Sequence, residues 1–365
     1  MNLGVAGLLF GAMLALMALR VPIWAGMFLP GAVGYVWLSG LDPLLAFLKG
    51  LTFARFSIYD LSVVPLFLLM GHLATQGGLS AGLFRAAAAF VGHWRGGLAQ
   101  ASVLASAAFG SVCGSSVATA ATITQVALPE MRRYRYDGGF ATATLAAGGT
   151  LGILIPPSVV LVLYAILTEQ NIAKLFAAAL IPGILAAALY CVAIALFMRV
   201  RPRLGPPDQR MPMGRRLEVL AGVVPVVVIF VIVLGGIYGG VFTATEAAAI
   251  GVLLTAVAGV AARQLTPRRM GQALLATAQT TGAIFMIFIG ADMLNAALAL
   301  TQMPAQVADL IAHAGLSPVA VVIAVLLFYV VLGGVMDEMS MLLLTLPVVF
   351  PAVMQLPLFG LGVED

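Results

Sequence analysis

The chain has 365 residues; 62% are hydrophobic, 9% are charged, and the net charge is +4. An average soluble domain is roughly 25% charged, so this composition excludes a water-soluble fold and indicates an all-α polytopic membrane protein. The small positive balance belongs to loops that set orientation, so no nucleic-acid partner is expected, and membrane lipid is the solvent.

The first apolar run, LGVAGLLFGAMLALMAL, has the length of a membrane crossing. It lacks the basic start of a signal peptide, and Arg20 follows it. Further basic clusters mark the cytoplasmic side: Arg85 with Arg95, RRYR at 132–135, the run from Arg199 to Arg216, and Arg263, Arg268 and Arg269. Residues 22–41 cross outward from Arg20. Asp60 lies near a helix start and reads as a dipole cap. His72, His93 and His313 are scattered and read as packing partners.

The stretch between Arg95 and Arg132 is too long for a loop and too apolar to be exposed. Returning to the same side takes either two crossings or one re-entrant hairpin. A hairpin over about 98–129 puts the small polar patch GSVCGSSVATAAT, residues 110–122, at a tip in mid-membrane. Unwound backbone at that depth must face protein or a water-filled cavity. Its carbonyls and hydroxyls can form a hard oxygen shell for a cation, with Ser115 and Thr119 lining a cavity for a substrate. Tight helix packing by small residues is the alternative. The next crossing, 138–167, contains GGTLGILIPPS, in which Pro156 and Pro157 remove two backbone donors after three glycines. An ordinary proline kink would not need that combination, and two broken elements in one half favour a shared ion site.

Residues 172–198 cross next and complete a first repeat, 1–198. The Pro- and Arg-rich segment 199–218 is a cytoplasmic linker, and 219–365 forms a second repeat. Its crossings 219–238 and 241–262 return to the side of Arg263. Glu246 in FTATEAAAIG reads as a second helix-start cap. Asp292 and Asn295, one turn apart, line a cavity or make an interhelical hydrogen bond. Residues 22–41 and 240–262 start about 218 positions apart and from opposite faces, and the same offset carries the first hairpin onto 316–347, within a second hairpin of about 316–350. That region again has an apolar arm, a glycine break and a second arm ending in Leu-Pro. Inverted repeats with broken helices characterise secondary transporters. Intramembrane acids are costly, and Asp337, beside Glu338 at this break, is read as an ion or substrate ligand ahead of a helix cap.

No enzyme is indicated. There is no Walker lysine motif and no metal-ligand cluster, and Cys113 and Cys191 have neither metal nor disulfide spacing. An intramembrane serine protease built on Ser115 or Ser116 would need a paired histidine, and none follows His93 in the first half.

The segments VPLFLLMGHLATQGGLSAGLFR, FGSVCGSSVATAAT, ALPEMRRYRYDGGFATATLAAGGTLGILIPPS, TATEAAAIGV and LGGVMDEMSMLLLTLP together resemble the large membrane subunit of the tripartite ATP-independent periplasmic (TRAP) transporters, over nearly the whole chain. The resemblance implies an elevator-type carrier of the ion transporter superfamily in the bacterial inner membrane. It implies sodium-driven import of an organic anion, a periplasmic substrate-binding protein that delivers it, and a small membrane subunit as partner. It assigns a first sodium site to Cys113 and Ser116 at the hairpin tip with Gly152, Ile155 and Pro157 opposite, and part of a second to Gly333, Gly334 and Asp337. Cys113 stands where the family pattern has serine, which matters only if the ligand is a side chain, because a thiol suits a hard cation poorly. Family members continue with a Thr-Pro-Pro break and further helices, so the chain is expected to be truncated at LPLFGLGVED. A symporter of related architecture that needs no binding protein, and a membrane scaffold whose breaks serve packing, are the alternatives.

Overall fold

A computed structural model describes residues 2–208, 210–303, 306, 317–334 and 336–354. His313 and the tail after residue 354, which carries the truncation expectation, lie outside the described residues. All regular elements among the described residues are helical. Ile172–Val200, Ala244–Ala261 and Pro267–Leu300 are long and apolar enough to cross a membrane unaided. Other spans are bent pairs: Gly138–Leu154 with Val159–Leu167 at 43°, and Met213–Leu220 with Val224–Tyr238 at 48°. On Ile172–Val200 the apolar residues Ile181, Leu185, Leu189 and Leu196 are all more than half exposed, which is the helix-period stripe expected where lipid is the solvent.

The contacts divide the chain into a middle unit, Asp60–Thr280, and a terminal unit, Met1–Tyr59 with Thr281–Asp365. This division follows packing and cuts across the two repeats expected from the sequence.

In the middle unit, helix Gly97–Cys113 ends at Gly114 and helix Ser116–Arg133 begins one residue later. Gly114 has φ of 66°, the left-handed conformation that glycine adopts without strain and that ends a helix. Ser115 is extended, and its hydroxyl accepts from the Ala118 N–H, capping the second arm. The chain folds back there. Gly148 packs on Ser106 of the first arm, while the adjacent Gly149 packs on Ala120 of the second. The first arm is buried along most of its length. Its base is strapped by the linker. Gly96 donates to the Gly205 carbonyl at 2.8 Å, Asp137 donates to that of Leu204 at 3.0 Å, and the Asp208 N–H donates to Gly92. The Tyr136 hydroxyl accepts from the Leu98 N–H at 3.1 Å. Burial pushes this phenol up to about 12, so it stays neutral at physiological pH. Helix Val63–Gln76 packs against the tip and against Ala244–Ala261, where Gly251 admits Met70 and Gly259 meets Gly77.

In the terminal unit, small residues again bring helices close. Gly26 and Gly34 face Met17 and Leu9 of Asn2–Ala18, so these first two helices run antiparallel. Gly31 abuts the backbone of Leu294, and Gly290 abuts that of Trp24. Pro318–Gly333 and Glu338–Met354 form the second hairpin, with Tyr329 and Thr345 hydroxyls 2.7 Å apart across its arms.

Candidate functional site

The first hairpin tip meets a second break in the same unit. Helix Gly138–Gly149 continues through Leu151–Leu154 and stops at an extended Ile155. Pro156 and Pro157 follow, joined by a cis peptide, and an extended Ser158 caps Val159–Leu167 by accepting from the Leu161 N–H. The two breaks thus share a device: an extended serine opening the helix beyond. They also touch. The Val159 N–H donates to the Gly114 carbonyl at 3.4 Å. A Cβ on Gly114 would come within 3.1 Å of the Pro157 oxygen, and one on Gly110 within 2.5 Å of the Gly152 Cα. A Cβ on Gly152 would stand 2.5 Å from Thr119 Oγ1 and 2.7 Å from the Ser115 carbonyl oxygen. Backbone meets backbone here only because these positions lack side chains.

This packing frees oxygen atoms. In a continuous helix the carbonyls of Gly152 and Ile153 would accept from residues 156 and 157, but proline has no N–H. The carbonyl of Ile155 would accept from Val159, whose N–H goes to Gly114 instead. The last carbonyls of the first arm lie past its final helical donor because the chain turns away at left-handed Gly114. Thr119 is fully buried, and among the described residues the Cys113 thiol, a weak hydrogen-bonding group, is the one polar partner beside its Oγ1. A buried hydroxyl without a partner costs about 1–3 kcal/mol, unless a ligand satisfies it. Carbonyls and hydroxyls in a glycine-lined cradle are the donor set of a hard monovalent or divalent cation, so the residues present fit Na+.

The structure therefore brings Ser115 and Thr119 to Gly152, and Gly114, the residue after Cys113, to Pro157, joining two stretches about 40 residues apart in sequence, whereas Ser116 faces Gly149 and Ile155 packs on Gly183. The Cys113 carbonyl also points at Gly71, where a Cβ would lie 2.7 Å from it. Gly71 of helix Val63–Gln76 is thus a third wall that the sequence reading missed. So is His72, read as a packing partner. It lines a cavity of about 250 Å³ beside the tip, together with Cys113, Ser115, Ala118 and Thr280. Its Nε2 is buried without a hydrogen-bond partner among the described residues.

In the terminal unit, Gly333 ends the first arm of the second hairpin and Gly334 follows it. Neither meets an opposing backbone among the described residues as Gly114 does. Asp337 caps the second arm. Its Oδ2 accepts from the N–H groups of Met339 and Ser340, and its Oδ1 from the Ser340 hydroxyl. The carboxylate occupies the place that Ser115 takes in the first hairpin, so the capping role that the sequence reading ranked second is the one its geometry displays. Asp292 and Asn295 diverge. Asn295 donates to the Leu343 carbonyl of the second hairpin at 3.3 Å, whereas Asp292 pairs with Arg55 and lines a different cavity. Of the two expected helix-start caps, Glu246 forms a capping box with Thr243. Asp60 lies in the 3-10 turn Tyr59–Ser62 and makes no capping hydrogen bond among the described residues.

Residues 10–360 match the family model described as the tripartite ATP-independent periplasmic transporter, DctM component. The C4-dicarboxylate TRAP transporter large permease protein DctM of Pseudomonas aeruginosa is 36% identical over 301 residues, covering 82% of this chain and 70% of that protein. The sialic acid TRAP transporter large permease protein SiaM of Vibrio cholerae is 31% identical, covering 80% of this chain and 68% of its own length. The ectoine/5-hydroxyectoine TRAP transporter large permease protein UehC of Ruegeria pomeroyi is 30% identical, with 95% and 81% covered.

Proposed function

The chain belongs to the DctM family, the large permease component of TRAP transporters, a membrane transport family and not an enzyme family; from that premise we propose that it carries an organic anion inward across the bacterial inner membrane, driven by sodium. The observation that carries the coupling reading is the meeting of two broken helices. The Gly110–Ser116 tip and the Gly152–Ser158 break bury freed carbonyls and the Thr119 hydroxyl in one place. Helix ends at mid-depth supply partial charges where an ion must be bound and released. Cys113, Ser116, Gly152, Ile155 and Pro157 are the proposed first sodium site, with binding mainly through carbonyls, so that the thiol at position 113 is no handicap. Gly333, Gly334 and Asp337 are proposed as part of a second. Ser115, Thr119, Asp292, Asn295 and Asp337 remain the candidates for lining the substrate path.

The family is a tripartite one, so the proposed partners are a small membrane subunit and a periplasmic binding protein that presents the solute. Relatives named for C4-dicarboxylates, sialic acid and ectoine support an organic acid as cargo. The inverted repeat supports an elevator-type movement. Here the arms of the two hairpins, 97–113 with 116–133 and 318–333 with 338–354, match at a steady offset of about 221 residues.

The test is uptake in proteoliposomes holding this chain and its small subunit, with the cognate binding protein added outside. Accumulation should need both the binding protein and an inward Na+ gradient, and a K+ gradient of equal size should not replace it. Uptake without the binding protein would transfer the chain to the self-sufficient symporter reading. Uptake indifferent to Na+ would remove the ion assignment.

A further inference from the structure

Arg55 and Asp292 form a fork inside the terminal unit, on helices Leu41–Phe56 and Pro267–Leu300. Nε donates to Oδ2 at 2.7 Å, and Nη2 donates to Oδ1. The guanidinium lies over Phe288, its Cζ 5.5 Å from the ring centroid. With side chains 23% and 15% exposed, this is not a solvated surface pair. Guanidinium has five N–H donors, and Asp292 engages only the Nε–Nη2 edge. Nη1, with both its N–H groups, has no partner among the described residues. The same two side chains line a cavity of about 420 Å³, whose walls include Phe47, Leu51, Ala54 and Ile58.

We propose that this cavity is a binding site for an organic carboxylate with an apolar body, received end-on by the Nη1–Nη2 edge of Arg55. A guanidinium presents a second edge suited to a carboxylate when the first is taken. The apolar walls accept the rest of the molecule. Asp292 is a positioning residue. Arginine stays charged at any accessible pH, and an unpaired charge in an apolar interior is strongly disfavoured. The aspartate neutralises Arg55 when the cavity holds no anion, fixes the plane of the fork, and by its own charge weakens any carboxylate that enters. An empty pair is therefore stable, and an occupied one releases its ligand readily. The inference does not rest on the sodium site or on uptake.

The experiment is a ¹⁹F NMR titration of the full chain in phosphatidylcholine nanodiscs with 4-fluorobenzoate, using 4-fluorobenzamide as the uncharged control. Saturable line broadening is expected with the benzoate and not with the amide. Asp292→Asn keeps the shape and removes the competing charge, so it should tighten benzoate binding by about tenfold. Benzoate should also raise the unfolding temperature of that variant, since a ligand bound only to the folded state stabilises it. Arg55→Lys keeps the charge but loses the planar edge, and should weaken binding at least tenfold. Should that variant fail to fold, Ala54→Asp, at an exposed wall position, sets a like charge against the ligand and should weaken binding as much. Equal broadening by benzoate and benzamide, or a weaker benzoate affinity in Asp292→Asn, would overturn the proposal. Displacement of the benzoate by added phosphatidylglycerol would overturn it in favour of a lipid phosphodiester.

Discussion

Gly152→Ala tests the ion site with the smallest perturbation available. The new methyl carbon would sit 2.5 Å from Thr119 Oγ1, 2.7 Å from the Ser115 carbonyl and 3.0 Å from Thr119 Cβ. Non-bonded carbon is comfortable at about 3.5 Å, so the hairpin tip and the proline break must part by about 1 Å. The Thr119 rotamer cannot absorb this alone, because Ser115 presents backbone. Overpacking of this kind costs about 1–3 kcal/mol, and a chain with this many helix contacts should still fold. Ion binding is less forgiving. Ligand distances in a metal site hold to about 0.2 Å, so a 1 Å displacement should abolish it. At a Na+ concentration a hundredfold above its Kd, sodium stabilises the folded protein by about 2.7 kcal/mol, and that gain should vanish in the variant. The assay is thermal unfolding followed by the fluorescence of Trp24, Trp37 and Trp94, in NaCl and in KCl of equal ionic strength. The wild type should unfold at a higher temperature in Na+, and Gly152→Ala should show no difference between the salts. Gly235→Ala, where a Cβ meets nothing within 4 Å, should retain the full sodium gain. A folded Gly152→Ala protein with an undiminished sodium gain would refute the site.

Three further outcomes follow from the same geometry. Thr119→Val replaces a buried hydroxyl, whose polar neighbour among the described residues is only the weakly bonding Cys113 thiol, by a methyl of equal size. It should stabilise the protein in KCl by about 1 kcal/mol while reducing the sodium gain, and a hydroxyl that merely packs would give the first effect without the second. Gly71→Ala would set a Cβ 2.7 Å from the Cys113 carbonyl oxygen; it should lower the unfolding temperature in either salt and cut Na+-driven uptake at least tenfold in proteoliposomes. Gly96→Ala adds a side chain at φ of 73° and 2.6 Å from Met198 Cγ, where the linker strap is tied; a loss of about 1–2 kcal/mol should appear as faster protease cleavage within residues 199–212.

The punctuation of the first site was legible because its physics is local. A Gly-Ser-Ser patch and a double proline each break a helix by their own chemistry, whatever surrounds them. Their meeting was less visible, since nothing in 110–116 specifies 152–158 as a partner except that both breaks need one. Gly71 and His72 were missed for the opposite reason. They lie in an unbroken helix, and a glycine one residue before a histidine in an apolar run carries no periodic signal. Arg55 could have been found. It shares the helix Leu41–Phe56 with Lys49 and Asp42, Asp292 is a lone anion in an apolar stretch, and intramembrane charges need a counter-charge. Pairing the unmatched charges before assigning roles would have joined them across 237 positions.

Asp337 shows where residue chemistry alone leaves two roles open. An acid at a helix break within the membrane satisfies two descriptions, ligand and cap, and burial cost favours the first. The coordinates turn on register. The arms of the two hairpins match when shifted by about 221 residues, and Asp337 then falls opposite Ser115, whose hydroxyl caps its own arm. Both positions open a helix whose first N–H groups need an acceptor, and either side chain supplies it. The difference is charge. Asp337 places a fixed anion against the positive end of its helix, whereas Ser115 leaves the corresponding field unneutralised. The two tips therefore solve one backbone problem with opposite electrostatics, and a cation at the second would meet a full carboxylate where the first offers only dipoles. Asp337→Ser, which preserves the cap and removes the charge, separates these contributions. Intact folding with a reduced response to Na+ would assign the carboxylate a part in ion binding beyond its cap, and an unchanged response would leave it the cap alone.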